Sequence, residues 1–272
     1  MKTRRVPIGK PTLVAAALLP HAPVLVPGLA PDRAEEVAPT ATAMRDAAGR
    51  IVAARPASLV LLSPHAPWRA GAFGIYEGDL RGSLAEFGAP DAAVRCPADP
   101  PLTERIEESF RGHGVERWRI ERRALDHGSV VPLCFLAEAG WDGPTTVIGL
   151  APVPGQKIIE ALGLAIADAA RAAARPIALI ASGDMSHRLS PGSPCGHHPR
   201  AHEFDETFIR LLGASDDDAL RDIDPELREI AGEDAFDSAL AAITACGSAR
   251  GRKVLCYDAP FGVGYGVAML FE

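Results

Sequence analysis

Two stretches decide the fold: TLVAAALLPHAP at residues 12–23 and SLVLLSPHAP at residues 58–67. Each is a short apolar run that stops at a proline and passes into the same tetrapeptide, Pro-His-Ala-Pro. Runs of that length bounded by turn residues read as strands buried on both faces. Between them, residues 31–54 are rich in alanine and charge, with Val37, Met44, Ala48 and Ile51 at near-helical spacing. Pro39 divides that segment, so the expectation is a short turn of helix followed by a longer helix capped by Thr40. Strand, helix, strand is the order of a parallel β-α-β unit.

The same reading extends along the chain. Residues 115–120, 145–150, 176–181, 253–257 and 263–270 read as strands. Residues 102–110, 130–139, 156–174 and 225–230 read as helices, as do the segments marked by Phe204, Phe208 and Leu212 and by Phe236, Leu240 and Ile243. Residues 71–97 alternate short apolar stretches with Gly and Pro and hold a hairpin or an edge excursion. No low-complexity linker interrupts the sequence. The expected fold class is α/β: one domain over 1–272, with a central, largely parallel or mixed twisted sheet flanked by helices.

Composition narrows the function classes. A chain of 272 residues, 47% hydrophobic and 23% charged, has a globular profile with ample material for a core. A net charge of -7, with no Lys/Arg block beside aromatic residues, argues against a nucleic-acid partner. Cys96, Cys134, Cys195, Cys246 and Cys256 form no CxxC pair, and one stays unpaired under any full bridging scheme, which fits a reduced compartment. Cys134 and Cys246 fall in apolar helical stretches and read as buried. No apolar run reaches the roughly 18 residues of a membrane span. The expectation is a cytoplasmic protein with no membrane partner.

If the first two strands run parallel in one sheet, His21 and His65 emerge at the same edge, where open α/β sheets place their ligands. The flanking prolines stiffen both turns, as a metal ligand requires. The residues alone admit two accounts: a pair of imidazole ligands, or two proline turns sharing a string. His187, at the end of SGDMSH (182–187), is a ligand, a proton shuttle or a loop histidine. His127, in LDHG (125–128), faces a cleft or belongs to a capped helix start, and Gly128 suggests an unusual backbone there. Glu233, Asp234 and Asp237 all precede or open a helix, where acids interact favourably with the N-terminus, so their positions do not rank them. CGHH (195–198) and the His202/Glu206 pair match no zinc spacing. A GxGxxG loop, a P-loop and a Gly-x-Ser-x-Gly elbow are absent from the sequence.

The ordered set LPHAP (19–23), SPHAP (63–67), LDHG (125–128), SGDMSH (182–187) and GE (232–233) resembles the class III, LigB-type extradiol ring-cleavage dioxygenases and the superfamily that includes Memo-like proteins. The resemblance covers nearly the whole chain. It implies Fe(II) held by His21, His65 and Glu233, with His187 as the active-site acid/base and His127 lining the substrate or oxygen pocket. The implied reaction is extradiol cleavage of a small catechol-type aromatic diol by O₂, in a single α/β domain that can form a homo-oligomer. Two histidines and one carboxylate leave open positions for a bidentate diol and oxygen. Two alternatives stand beside it. One is a metal-dependent hydrolase with His187 as base. The other is a Memo-like binding or scaffold protein, which a Glu233 side chain turned away from His21 and His65 would favour.

Overall fold

The opening strand, β1 (Leu13–Leu19), is buried almost throughout, and its alternate residues serve two different cores. Leu13, Ala16 and Leu18 pack on one face of the sheet, and Ala15, Ala17 and Leu19 on the other. This two-sided burial is why the run reads as continuous rather than alternating. In the computed structural model, which describes residues 12–152 and 154–272, the chain continues through α1 (Ala34–Ala53), β2 (Ser58–Ser63), β3 (Phe73–Glu77), β4 (Leu80–Leu84), β5 (Ala89–Cys96), α2 (Pro100–His113) and β6 (Arg117–Glu121). There follow α3 (His127–Glu138), β7 (Thr145–Gly149), α4 (Gln156–Ala173), β8 (Ile177–Ser182), α5 (Ala201–Ala214), α6 (Asp217–Arg221), α7 (Pro225–Ala231), α8 (Ala235–Cys246), β9 (Lys253–Asp258) and β10 (Tyr265–Phe271).

Eight strands form one mixed sheet in the order β6-β3-β7-β2-β8-β1-β10-β9. Its centre, β7-β2-β8-β1, is parallel throughout, whereas β10 runs antiparallel to β1 and to β9, and β3 antiparallel to β7. Helices α2, α4, α5 and α8 contribute to the core on one face, and α1 and α3 to the core on the other. The chain is thus a single α/β domain with a mixed central sheet flanked by helices. Among the described residues, no helix is long and apolar enough to cross a membrane.

Three expectations change in detail. Pro39 does not divide the 31–54 segment: after a short 3₁₀ turn over Pro31–Arg33, α1 runs through it unbroken, with Thr40 buried inside rather than capping. A proline in the second turn forfeits only the bond to the Glu35 carbonyl, and Glu35 is exposed, so water can satisfy it. Residues 71–97 hold the expected hairpin, β4 and β5 forming a separate antiparallel ribbon, but β3 is no edge strand and joins the main sheet between β6 and β7. Cys134 and Cys246 are half-buried rather than buried, and all five cysteines are free thiols.

Candidate metal centre

Strand β8 lies between β1 and β2 and parallel to both, so the three strands end together. Ser182 closes β8, while His21 and His65 sit two residues beyond the ends of β1 and β2. The two imidazoles meet edge to face with ring centroids 4.7 Å apart. His127, the first residue of α3, joins them at 4.2 Å from His65 and 5.4 Å from His21. One nitrogen from each ring lies within 4.8 Å of the others, and this trio is the group of potential metal ligands among the described residues. His197 is exposed and His198 Nδ1 accepts the Arg200 N–H, so the 195–198 loop does not enter the cluster.

Asp126 explains how the start of α3 is held against the second proline turn. Its carboxylate caps the helix by accepting the Ser129 N–H at 3.1 Å, and it also accepts the hydroxyls of Ser63 at 2.5 Å and Tyr76 at 3.0 Å. Ser63 in turn accepts the His65 N–H at 3.3 Å. His127 therefore belongs to a capped helix start and also turns its ring toward the other histidines. Gly128 is there for space rather than for an unusual φ. A β-carbon at 128 would stand 2.6 Å from Ser63 Oγ and 2.9 Å from Asp126 Oδ1.

The carboxylate facing the histidines belongs to Asp234. Its Oδ2 lies 3.1 Å from His65 Nε2 and 3.6 Å from His21 Nε2, and its Oδ1 accepts the Asp184 N–H at 2.7 Å. Asp184 accepts the His21 backbone N–H at 2.7 Å and fixes that turn from behind. Glu233, the expected ligand, is turned elsewhere: Oε1 accepts from Arg228 Nε at 2.7 Å, and Oε2 accepts the Phe236 N–H at 2.7 Å at the start of α8. Glu233 acts as the helix cap and Arg228 partner, and its neighbour takes the position among the imidazoles. His187 is half-buried three residues beyond Asp184, with Nδ1 at 2.9 Å from the Gly232 carbonyl and its backbone N–H donated to the Ala231 carbonyl.

Electrostatics separate these groups sharply. Burial pulls the His21 pKa down, but Asp184 and Asp234 outweigh it and hold it up at about 9. Burial, followed by the charges of His65 and His21, pushes His127 down to about 4, so that ring is neutral at neutral pH. Burial would raise the Asp234 carboxyl, yet its contacts with His21 and His65 hold it well below the usual carboxylate range. Burial lifts Glu233 to about 7 against the opposing pull of Arg228. Among the described residues, no side chain or backbone group forms a hydrogen bond with the buried His21 Nε2. A cleft of about 840 Å³ opens beside the cluster, with Pro64, Trp68, Leu150 and Phe236 as apolar walls and Arg228 and Asp234 among its polar ones.

Residues 15–268 match the family model described as the catalytic LigB subunit of aromatic ring-opening dioxygenase. The chain belongs to the LigB family. Its LigB fold also resembles the crystal structure of the uncharacterized protein JW3007 from Escherichia coli K12, with a TM-score of 0.64, 17% identity and coverage of 94% of this chain and 99% of that one. At that identity the likeness concerns the fold alone. Protein CA_C1420 of Clostridium acetobutylicum is 27% identical over 267 residues, which is 93% of this chain. This LigB-family chain spans only 56% of the length of that relative.

Proposed function

We propose that this LigB-family protein is an Fe(II)-dependent extradiol dioxygenase that opens a small aromatic diol with O₂, the metal being held by His21, His65 and Asp234. The observation that carries the reading is the convergence of two imidazole Nε2 atoms on one carboxylate oxygen, with His21 Nε2 buried and, among the described residues, without a hydrogen-bond partner. A first-row metal takes nitrogen and oxygen ligands at about 2.0–2.2 Å, so donors a little over 3 Å apart suit a common centre. Two histidines and a carboxylate are also the donor set of open non-heme iron sites. Glu233, assigned to this role by resemblance, cedes it to Asp234 in the proposal. Its turning away would have favoured the scaffold reading, but Asp234 keeps the donor set complete.

When bound, Fe(II) would couple electron flow from the diol ring to O₂. The protein's own contribution is positional and protonic. The Gly232 carbonyl accepts the proton on His187 Nδ1, which leaves Nε2 as a basic lone pair able to take a hydroxyl proton from the diol and return it later. His127 stays neutral and can accept or donate one hydrogen bond to a substrate oxygen. The apolar walls at Trp68, Leu150 and Phe236 suit an aromatic ring.

Anaerobic loading with Fe(II), followed by a panel of catechols monitored for oxygen uptake and a yellow product, tests the reading. His21→Ala is expected to lose iron, whereas His187→Ala keeps iron and loses turnover. Normal turnover in His187→Ala would remove its assigned role, and failure across the panel with stoichiometric iron would favour a Memo-like binding protein. A zinc hydrolase is the second reading, supported by His127, because three imidazoles also suit Zn²⁺ and leave its fourth position for water. Ester or amide hydrolysis by the zinc-loaded protein, without oxygen uptake by the iron form, would favour it.

A further inference from the structure

We infer that Ser182 fixes the tautomer of His21, so that Nδ1 carries the ring proton and Nε2 is the metal-binding atom. The inference rests on the reading of His21 as a metal ligand. Ser182 is fully buried at the end of β8, with its Oγ 3.0 Å from His21 Nδ1 and 2.5 Å from the Gly128 carbonyl oxygen. A hydroxyl has one proton, and a carbonyl has none to give. The Ser182 proton therefore goes to Gly128, and Ser182 can meet His21 Nδ1 only with a lone pair. Nδ1 must then be the donor, and the neutral ring presents its free lone pair at Nε2, the buried atom facing Asp234.

The sequence of α3 shows why the Gly128 carbonyl is free to accept. Its helical partner would be the N–H of residue 132, four positions on, and residue 132 is a proline inside the helix. The missing N–H leaves that carbonyl oxygen for Ser182. The relay Gly128 to Ser182 to His21 thus runs from the segment carrying His127 to the most buried ligand. Ser63 has the corresponding place at the end of β2, but it bonds the His65 backbone rather than its ring. Ser182 is a positioning residue, of the kind whose loss typically costs a metal site about 10–100-fold in affinity.

Long-range ¹⁵N–¹H spectra of histidine-labelled protein, with His21 assigned by its loss in His21→Gln, read the tautomer directly. The zinc-loaded protein, and the metal-free protein above the pH at which His21 deprotonates, should both show a protonated Nδ1. Ser182→Ala should lower Zn²⁺ affinity about 10–100-fold by competition with a chromophoric chelator, while the metal-free melting temperature confirms folding. Ser182→Thr, which keeps the hydroxyl, should restore most of that affinity. A proton on Nε2, zinc at Nδ1, or unchanged affinity in a folded Ser182→Ala protein would overturn the inference. A wild-type protein that shows the Nδ1–H tautomer yet binds no metal would refute the metal reading and leave the tautomer assignment standing.

Discussion

At the scale of single residues, the site turns on which of two adjacent carboxylates faces the histidines. Glu233 has its two oxygens committed to Arg228 and to the Phe236 N–H, while Asp234 offers Oδ2 to both imidazoles. Substitution should therefore separate the two residues by what is lost. Asp234→Ala is expected to reduce metal affinity at least about 100-fold, beyond a supporting-residue effect of about 10–100-fold. Glu233→Gln should hold metal nearly as the parent does but lose stability, by about 2 kcal/mol rather than the roughly 3–5 of a stranded buried partner, because Arg228 keeps Asp237. Metal titration and urea unfolding on both variants check this pair, and the reverse pattern would return the ligand role to Glu233. The sequence could not rank the two acids, since both precede α8. The choice depends on Arg228 and a free helix N–H, which become neighbours of Glu233 only in the folded chain. Ser182 and Ser63 were equally obscure individually, although each closes an apolar strand just before a loop that carries a histidine, and that recurrence is visible in the sequence.

At the scale of elements, the decisive contact is between the end of β8 and the start of α8. A β-carbon at Gly183 would overlap the Ala235 Cα, and this close approach is what lets the Asp184 N–H reach the Asp234 carboxylate and the Asp234 N–H reach the Asp184 carbonyl. Gly163 makes a second tight contact on the same helix, where a β-carbon would stand 2.5 Å from the Ala241 carbonyl oxygen, on the α4 side and away from the histidines. Gly183→Ala and Gly163→Ala are both expected to cost about 1–3 kcal/mol by overpacking, but only Gly183→Ala should also weaken metal binding. Equal affinities in the two variants would show that the β8–α8 junction does not set the geometry of the site. Most elements were legible because their apolar runs are long and bounded by Gly or Pro. The exceptions have local causes: Pro39 lies where the lost bond falls on an exposed carbonyl, and β3 reaches the sheet through pairings with β7 and β6 that no local pattern encodes.

At the scale of the whole molecule, the parallel order β2-β8-β1 gathers residues 21, 65 and 182 at one sheet edge, and α3 and α8 close over it with His127 and Asp234. That gathering concentrates charge and makes the metal and the proton competitors for His21. With its folded pKa raised from 6.5 to about 9 by Asp184 and Asp234 against burial, protonated His21 stabilises the metal-free fold fully below about pH 6.5. This stabilisation is lost as pH rises through about 9. A metal must displace that proton, so its apparent affinity should rise about tenfold per pH unit between pH 7 and 9 for a single proton released. His127, already neutral, and Asp234, held ionised, add no titration in that interval. The melting temperature of the metal-free protein should therefore fall from pH 7 to 9, while the increment conferred by a fixed concentration of Zn²⁺ should widen. An increment independent of pH across that range would mean that no proton leaves when the metal binds, and that His21 is not the atom they contest.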